Sequence, residues 1–272
     1  MNLGLQGRHA LVTGGSKGIG VGIVRALAAE GVSVTFCGRN TEDGARTERE
    51  LKAENLNVRF IVGDVENNAG IDALAASASA IQPVEILVNN VGNPSNTDGV
   101  LRKWLEVPTI DWEKTFYKNV ISAQRLCDLL VPAMCNRHWG RVINISSSAG
   151  IQPGDEVPPD YSVAKAALNA MTMTLARALA STGVTVNTVT PGPILTEGQR
   201  GWIILLASER GWPGEFADWE RRFIKEDMHL TVDRLGCPKD IGRAVAFLAA
   251  ADADFITGAN FRIDGGQTRS AI

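Results

Sequence analysis

A glycine-rich turn between a strand and a helix is the sequence feature that most constrains how this chain can fold. Arg8 to Thr13 is a short apolar run typical of a buried strand, and Val21 to Glu30 has helical spacing that ends at Gly31. Between them lies Thr13-Gly14-Gly15-Ser16-Lys17-Gly18-Ile19-Gly20. Glycines let the backbone turn sharply and approach a pyrophosphate, and the N–H groups that open the helix attract its charge. A glycine cluster alone can be a simple turn, but its place between strand and helix favours a phosphate-binding turn.

Strands and helices alternate along the rest of the chain. Further strands are predicted at Val32–Cys37, Val58–Val62, Val84–Val88, Arg141–Ile145, Thr185–Val189 and Asn260–Ile263. Helices are predicted at Thr41–Glu54, Asn67–Ile81, Ile110–Arg137, Asp160–Ser181 and Pro238–Ala250. Strands separated by helices of this length form right-handed crossovers between parallel neighbours. The sequence therefore predicts a single α/β domain over residues 1–272, with a doubly wound parallel sheet of the Rossmann type between two helical layers.

A tyrosine and a lysine open the longest apolar helix of the second half. Tyr161 and Lys165 are one turn apart on the same face, so their side chains can meet. A nearby ammonium favours the phenolate, and we expect it to lower the pKa of Tyr161 towards the working pH of an acid-base catalyst. Because this spacing also occurs by chance on surface helices, the interpretation depends on the motifs around it.

Four motifs together resemble the short-chain dehydrogenase/reductase family. They are the glycine turn, Asn89-Asn90-Val91-Gly92, Asn144-Ile145-Ser146-Ser147 and Tyr161-Ser162-Val163-Ala164-Lys165. The family patterns are TGxxxGxG, NNAG, a catalytic serine and YxxxK, and the resemblance runs from about Leu5 to Gly266. Val91 stands where the family usually has alanine. The resemblance implies a nicotinamide dinucleotide cofactor and a carbonyl or alcohol substrate.

The resemblance also implies roles for the catalytic residues. Tyr161 is the general acid/base, Lys165 supports it and holds the nicotinamide ribose, and Asn119 organises a water-linked proton path to Lys165. Ser147 is expected to hydrogen-bond the reacting carbonyl oxygen. Ser148 remains an alternative, since the loop to Tyr161 is one residue longer than the commonest family spacing.

The expected cofactor contacts lie at strand ends and in the glycine turn. Carried over from the family motifs, they are Gly14, Ser16, Lys17, Gly18, Ile19, Gly20, Asp64, Val65, Asn90, Tyr161, Lys165, Pro191, Gly192 and Thr196. Asp64 and Val65 are expected at the adenine, Asn90 at a ribose, and Pro191, Gly192 and Thr196 beside the nicotinamide amide.

The end of the second strand bears on the choice of dinucleotide. It reads Phe36-Cys37-Gly38-Arg39-Asn40, without the Asp or Glu that binds the adenosine ribose in most NAD enzymes. Arg39 can meet a 2′-phosphate with charge-assisted hydrogen bonds, and Lys17 can add a second positive charge. The residues favour NADP, with NAD as the alternative.

Composition limits the partners and the compartment. The net charge of -3 and the mixed signs along the chain argue against nucleic acid and anionic membrane as partners. The N-terminus lacks the features of a signal peptide, so we expect a cytoplasmic protein. The four cysteines and three histidines show no metal-ligand or catalytic spacing, and we expect no metal site.

The sequence thus predicts an oxidoreductase that moves hydride between NADP(H) and a carbonyl or alcohol group of a small molecule. An NAD-dependent alcohol dehydrogenase of the same family and a non-catalytic dinucleotide sensor or scaffold remain alternatives. The resemblance implies a homo-oligomer, with a tetramer favoured over a dimer. The insertion at 194–233, which contains Trp202, Trp212 and Trp219, is expected to be a mobile lid over the substrate. The tryptophans could line a pocket or pack onto the core.

Overall fold

The structure is a computed structural model, and it describes residues 3–94, 102–154 and 157–270. Within these residues seven strands form one parallel sheet. They are β1 (His9–Val12), β2 (Ser33–Gly38), β3 (Val58–Val62), β4 (Ile86–Asn89), β5 (Gly140–Ile145), β6 (Val184–Pro191) and β7 (Asn260–Ile263). The strand order is β3-β2-β1-β4-β5-β6-β7. The predicted Rossmann-type parallel sheet is confirmed.

Helices cover both faces of the sheet. They are α1 (Gly18–Ala29), α2 (Thr41–Ala53), α3 (Asn68–Ile81), α4 (Thr109–Phe116), α5 (Ser122–Asn136), α6 (Pro159–Ala178), α7 (Glu197–Glu209), α8 (Phe216–Arg222) and α9 (Pro238–Ala249). One buried apolar cluster joins the sheet to α1, α2 and α9, and a second joins it to α3, α5 and α6. Burial of this apolar surface on both faces explains why most strand positions are apolar rather than alternating.

The strand order predicts where a ligand-binding crevice lies in the molecule. The chain runs outwards from β1 to β3 on one side and from β4 to β7 on the other, so the order reverses between β1 and β4. In open α/β sheets, a crevice for ligands forms at this point, outside the carboxyl ends of the strands. Val12 is in register with Phe36 of β2 and with Val88 of β4, which brings the turns after these three strands to one edge.

The predicted helix Ile110–Arg137 has an interruption that the sequence did not indicate. A π-helical turn, Tyr117–Ile121, joins α4 to α5. Such turns insert one extra residue into a helix and are frequent at functional sites. Asn119 lies in the middle of this turn, where its side chain points into the protein and is buried.

The segment at 194–233 folds as helices with an apolar cluster of their own. The buried members are Ile203, Leu206, Phe223 and Ile224 of the segment, together with Leu235 just after it. Trp202, Trp212 and Trp219 pack against this cluster. Their indole rings therefore pack within the segment, and a role in lining a substrate pocket stays a prediction. The mobility of the segment stays a prediction.

Candidate active site

A cavity of about 680 Å³ opens at the carboxyl ends of β1 to β4. Eleven of the residues expected to bind a cofactor line it: Gly14, Ser16, Lys17, Gly18, Ile19, Gly20, Arg39, Asp64, Val65, Asn90 and Thr196. They come from five separate segments of the chain. The sheet topology alone brings them together.

The glycine turn forms one wall of this cavity. Gly14 and Gly18 have positive φ angles of 64° and 54°, a conformation that favours glycine. A Cβ atom on Gly20 would lie 2.0 Å from the carbonyl oxygen of Gly14, so a side chain there cannot be accommodated. Among the described residues, no side chain caps the N-terminus of α1 at Lys17. The first N–H groups of α1 therefore remain available to an anion, and this wall fits the pyrophosphate of a dinucleotide.

Asn90 ties the end of β4 to the glycine turn. Its Nδ2 donates to the carbonyl oxygens of Thr13 at 2.9 Å and Gly14 at 3.1 Å, and its backbone N–H donates to the hydroxyl of Thr13 at 2.9 Å. The asparagine amide thus fixes the backbone of the turn at the cavity wall. The side chain has a structural role in addition to the cofactor contact expected of it.

The cations expected at a 2′-phosphate are both paired with acids. Arg39 donates from Nη1 to Oε1 of Glu66 at 2.8 Å, and Nζ of Lys17 lies 2.6 Å from Oδ2 of Asp43. The Lys17 ammonium lowers the pKa of the Asp43 carboxyl. Glu66 also pairs with Lys118, whose Nζ lies 3.0 Å from the same Oε1. Neither Glu66 nor Lys118 stood out in the sequence, and both line the cavity.

Lys165 is the most deeply buried charged group beside the cavity. Its side chain is 1% exposed, and Nζ donates to the carbonyl oxygen of Ile145 at 2.8 Å. Burial lowers the pKa of Lys165 to about 7. Nζ lies 5.6 Å from the ring centroid of Tyr161, so the pair on the first turns of α6 does meet.

The pKa of Tyr161 differs from the expectation. Burial raises it, and a side-chain hydrogen bond with Ser147 lowers it in part. The expected lowering of the Tyr161 pKa by Lys165 does not appear. Desolvation is the larger of the two causes, so burial favours the protonated phenol.

The serines after β5 have different environments. Ser146 is buried and donates from Oγ to the carbonyl oxygen of Lys165 at 3.2 Å. Ser147 is half-buried, and its Oγ accepts from the N–H of Ala149 at 3.2 Å while its hydroxyl bonds Tyr161. Ser148 begins a short 3₁₀ turn, Ser148–Gly150. The hydroxyl next to the phenol is thus that of Ser147.

Asn119 and Lys165 both lie against Gly92. A Cβ atom built on Gly92 would be 2.3 Å from Nζ of Lys165 and 2.5 Å from Oδ1 of Asn119, so a side chain there would displace these two groups. Nδ2 of Asn119 donates to the carbonyl oxygens of Thr115 at 2.8 Å and Asn93 at 3.1 Å. Its Oδ1 is buried without a hydrogen-bond partner among the described residues. This acceptor therefore borders the same space as the Lys165 ammonium.

One buried contact near the site was not foreseen from the sequence. The hydroxyl of Thr115 donates to Oδ2 of Asp160 at 2.5 Å, and both side chains are buried. Asp160 precedes Tyr161, and the Thr115 carbonyl accepts from Asn119. The contact thereby joins the start of α6 to the helix that carries Asn119.

Pro191 and Gly192 lie apart from this cavity wall. Pro191 ends β6, and the N–H of Gly192 donates to the carbonyl oxygen of Ile263 at 3.1 Å. A Cβ atom on Gly192 would lie 2.7 Å from Cα of Asp264, so the close approach that requires glycine here is to the turn after β7. Their expected contact with a nicotinamide amide stays a prediction.

The remaining candidate groups have structural partners. His9 is buried, with Nδ1 2.8 Å from the carbonyl oxygen of Gln82 and Nε2 2.9 Å from the hydroxyl of Thr35. The four cysteines are free thiols. In the described ranges, His, Cys, Asp and Glu side chains form no group able to hold a metal ion. None of the helices described is both long and apolar enough to cross a membrane.

Comparisons with known proteins agree with this geometry. A family model described as short chain dehydrogenase matches residues 8–203. An uncharacterized oxidoreductase of Bacillus subtilis (strain 168), YvaG, is 36% identical over 280 residues, which cover 100% of each chain. Acetoacetyl-CoA reductase of Cupriavidus necator is 33% identical over 95% of this chain and 97% of its own. The structure of L-sorbose reductase from Gluconobacter frateurii, complexed with NADPH and L-sorbose, matches with a TM-score of 0.91 and 30% identity, covering 99% of this chain and 100% of the other.

Proposed function

The chain belongs to the short-chain dehydrogenase/reductase family, whose members are oxidoreductases acting on carbonyl and alcohol groups, and we propose that it moves hydride between NADP(H) and a small-molecule carbonyl or alcohol. The observation that carries the proposal is the arrangement around Gly92. A buried lysine with a pKa of about 7, the acceptor oxygen of Asn119 and the phenol of Tyr161 meet beside a cavity suited to a dinucleotide. A purely structural role would not require a buried, titratable lysine at this place.

The residues divide the work of carbonyl reduction between them. A bound nicotinamide dinucleotide supplies the hydride, or accepts it in the reverse direction. Tyr161 gives its proton to the carbonyl oxygen as that oxygen gains negative charge, which completes the alcohol. Ser147 donates a hydrogen bond to the same oxygen and stabilises the developing charge. Because burial favours the protonated phenol, Tyr161 is ready to act as the acid.

Lys165 and Asn119 return the proton that Tyr161 has given up. A lysine whose pKa is about 7 can lose or gain a proton near neutral pH without a large change in free energy. The buried Oδ1 of Asn119 can accept a hydrogen bond from the ammonium or from a water that carries the proton onwards. The π turn supports this role, since it directs Asn119 into the protein rather than to solvent.

The preference for NADP(H) over NAD(H) is supported by charge at the cavity rim. Arg39 follows β2 in place of an acid, and Lys17 is the residue before α1. Both line the cavity and can reach a 2′-phosphate. L-Sorbose reductase, a structure that resembles this one over its whole length, is complexed with NADPH. The relatives named act on a sugar and on an acyl-CoA, and we propose a small-molecule ketone as the substrate class.

We propose further that the protein is a cytoplasmic homo-oligomer. The four free cysteines suit a reducing compartment. Exposed apolar side chains on neighbouring helices support association: Leu129 on α5 is 43% exposed, and Val163 and Met173 on α6 are 42% and 49% exposed. Two-fold packing of these helices would cover them.

Replacement of Tyr161 by Phe tests the catalytic proposal. We expect Tyr161→Phe to reduce turnover by roughly 10²–10⁴-fold, because it removes the acid, and to leave dinucleotide affinity nearly unchanged. Turnover is followed by the absorbance of the reduced cofactor with a panel of ketones, sugars and alcohols. Tyr117 offers a matched control because it is the other tyrosine of the chain, and its hydroxyl bonds Oδ1 of Asn68 at 2.5 Å. Turnover near the wild-type rate in Tyr161→Phe, or an equal loss in Tyr117→Phe, would refute the assignment.

A further inference from the structure

Glu66 is an acid that two cations of the cavity share. Arg39 Nη1 and Lys118 Nζ lie 2.8 Å and 3.0 Å from the same carboxylate oxygen, Oε1. The three residues come from the turn after β2, the turn after β3 and the π turn. All three line the cavity that fits a dinucleotide. Asp64, another acid that lines the cavity, accepts hydrogen bonds from the N–H of Glu66 and from Asn67 Nδ2, both at 2.9 Å.

The two cations differ in how freely they can leave Glu66. The side chain of Lys118 is 7% exposed, whereas that of Arg39 is 64% exposed. A buried ammonium that loses its acid is strongly destabilising, so Lys118 holds Glu66 in place. An exposed ion pair contributes little, so Arg39 can turn away to another anion at small cost. Glu66 therefore stays fixed while Arg39 can move.

We propose that Glu66 sets the preference between NADPH and NADH by competing with the adenosine 2′-phosphate for Arg39. This inference rests on the proposed NADP(H)-dependent function. Before Arg39 can bind the phosphate, it must leave Glu66 or share its charge with it. The carboxylate that remains at the rim also repels the phosphate, although Lys118 offsets part of its charge. NADH has no phosphate at this position, so Glu66 should leave NADH binding nearly unchanged.

Replacement of Glu66 by Gln separates the charge from the shape of the side chain. Gln keeps an oxygen that can accept a hydrogen bond from Lys118, although the buried ammonium loses its counter-charge. We therefore expect Glu66→Gln to be folded but less stable than the wild type. We expect Glu66→Gln to bind NADPH about 2- to 5-fold more tightly, the range for one exposed ion pair, and to bind NADH with little change. The gain should shrink as salt is raised from about 0.05 M to about 0.5 M, because salt screens exposed charges. Dissociation constants for both cofactors are measured by cofactor fluorescence without any substrate.

Two further variants test whether the effect passes through Arg39 and Lys118. Arg39→Ala should weaken NADPH binding by roughly 10-fold or more and leave NADH binding almost untouched, as loss of hydrogen bonds to a charged group requires. In a protein that already carries Arg39→Ala, Glu66→Gln should increase NADPH affinity clearly less than it does in the wild type. Lys118→Met should weaken NADPH binding, the opposite of the effect expected for Glu66→Gln. Glu66 would then pair with Arg39 alone and hold it away from the phosphate.

Glu42, three residues after Arg39 in the chain, provides a control for the loss of one negative charge. It lies in the first turn of α2 and is exposed, and it makes no ion pair with a residue of the described ranges. Glu42→Gln should not change the ratio of NADPH to NADH affinity. Thermal unfolding of each variant verifies that it folds.

The outcomes separate this inference from the function on which it rests. If the wild-type protein binds neither dinucleotide, the proposed function itself is wrong. If the wild type binds both dinucleotides but Glu66→Gln leaves the ratio of NADPH to NADH affinity unchanged, only the role of Glu66 is refuted. The same holds if Glu66→Gln increases NADPH affinity by the full amount in the Arg39→Ala protein. A larger NADPH preference in Glu66→Gln that depends on Arg39 and falls with salt supports the inference.

Discussion

Lys165 should make the stability of the fold depend on pH, and its replacement by Met should remove that dependence. Burial lowers the pKa of Lys165 from its ordinary value to about 7 in the folded protein. In an unfolded chain a lysine titrates near about 10.4. Between these two pH values the unfolded chain binds more protons than the folded one, so the free energy of unfolding rises with pH.

The magnitude follows from the two titration curves. Where the folded lysine is neutral and the unfolded one is charged, the slope approaches about 1.4 kcal/mol per pH unit. Between about pH 7.5 and about pH 8.5, Lys165 alone should add about 1.2 kcal/mol. Below about pH 6 both states carry the proton, and the contribution of Lys165 is constant.

Two buried thiols act against this trend at higher pH. Burial raises the pKa of Cys37 to about 11 and that of Cys127 to about 12. An unfolded cysteine loses its proton near about 8.5, so the folded state binds more protons above that value and stability falls as pH rises. The difference between the wild type and Lys165→Met cancels these contributions, because both proteins contain the same cysteines.

Urea unfolding, followed by the fluorescence of the six tryptophans, measures this difference. The series runs from about pH 6 to about pH 9 at one protein concentration, since association would otherwise change the apparent stability. The wild-type value minus the Lys165→Met value should rise by about 1.2 kcal/mol over the unit above about pH 7.5. Lys239→Met, which removes an exposed lysine on α9, should show no such rise. A difference between the wild type and Lys165→Met that stays flat with pH would refute the argument that Lys165 titrates near neutrality.

Three further predictions concern the serine, the association state and the lid. Ser147→Ala should reduce turnover by roughly 10²–10³-fold, as loss of an oxyanion donor does, whereas Ser148→Ala should have a small effect. Kinetics with the reverse ranking would assign the hydrogen bond to the carbonyl oxygen to Ser148 instead. Light scattering at micromolar concentration should show an oligomer, with a tetramer favoured over a dimer, because association would bury the exposed apolar side chains of α5 and α6. A monomer would contradict this prediction. Protease cleavage within 194–233 should slow when cofactor and a substrate analogue are added; unchanged cleavage would instead indicate a fixed helical cap.

The fold could be predicted from the sequence because the apolar runs, the glycine turn and the order of strands and helices all indicate the same architecture. Apolar runs bounded by glycines gave the strands, and the predicted strand Val58–Val62 has the bounds observed. The glycine turn requires a strand before it and a helix after it, and both are present. Since parallel strands joined by helices leave few topologies, the cavity at the carboxyl ends followed from the order of the elements.

The chemistry of the catalytic pair could be predicted only in part. One helical turn of spacing was enough to bring Tyr161 and Lys165 together. The predicted lowering of the Tyr161 pKa was wrong, because the spacing of two residues in the sequence does not indicate how deeply their side chains are buried. Burial of the phenol raises its pKa, and burial of Lys165 lowers the pKa of the lysine. A sequence pattern gives the identity of two groups, whereas a pKa depends on the whole environment of each.

Glu66 shows where sequence reasoning about the cofactor site stopped short. Arg39 drew attention because it replaces an acid at the end of β2, yet its ion-pair partner lies 27 residues later in the chain. The two meet because β2 and β3 are parallel neighbours with Gly38 in register with Val62, which sets the turns after both strands side by side. A prediction that placed β3 beside β2 could therefore have paired Arg39 with the acid after β3. The approach of Lys118 could not have been foreseen in this way, since it depends on the π turn that rotates residues 117–121 relative to a regular helix. The sequence thus indicates where a phosphate can bind, while the competition for that cation appears only once the strand register and the π turn are known.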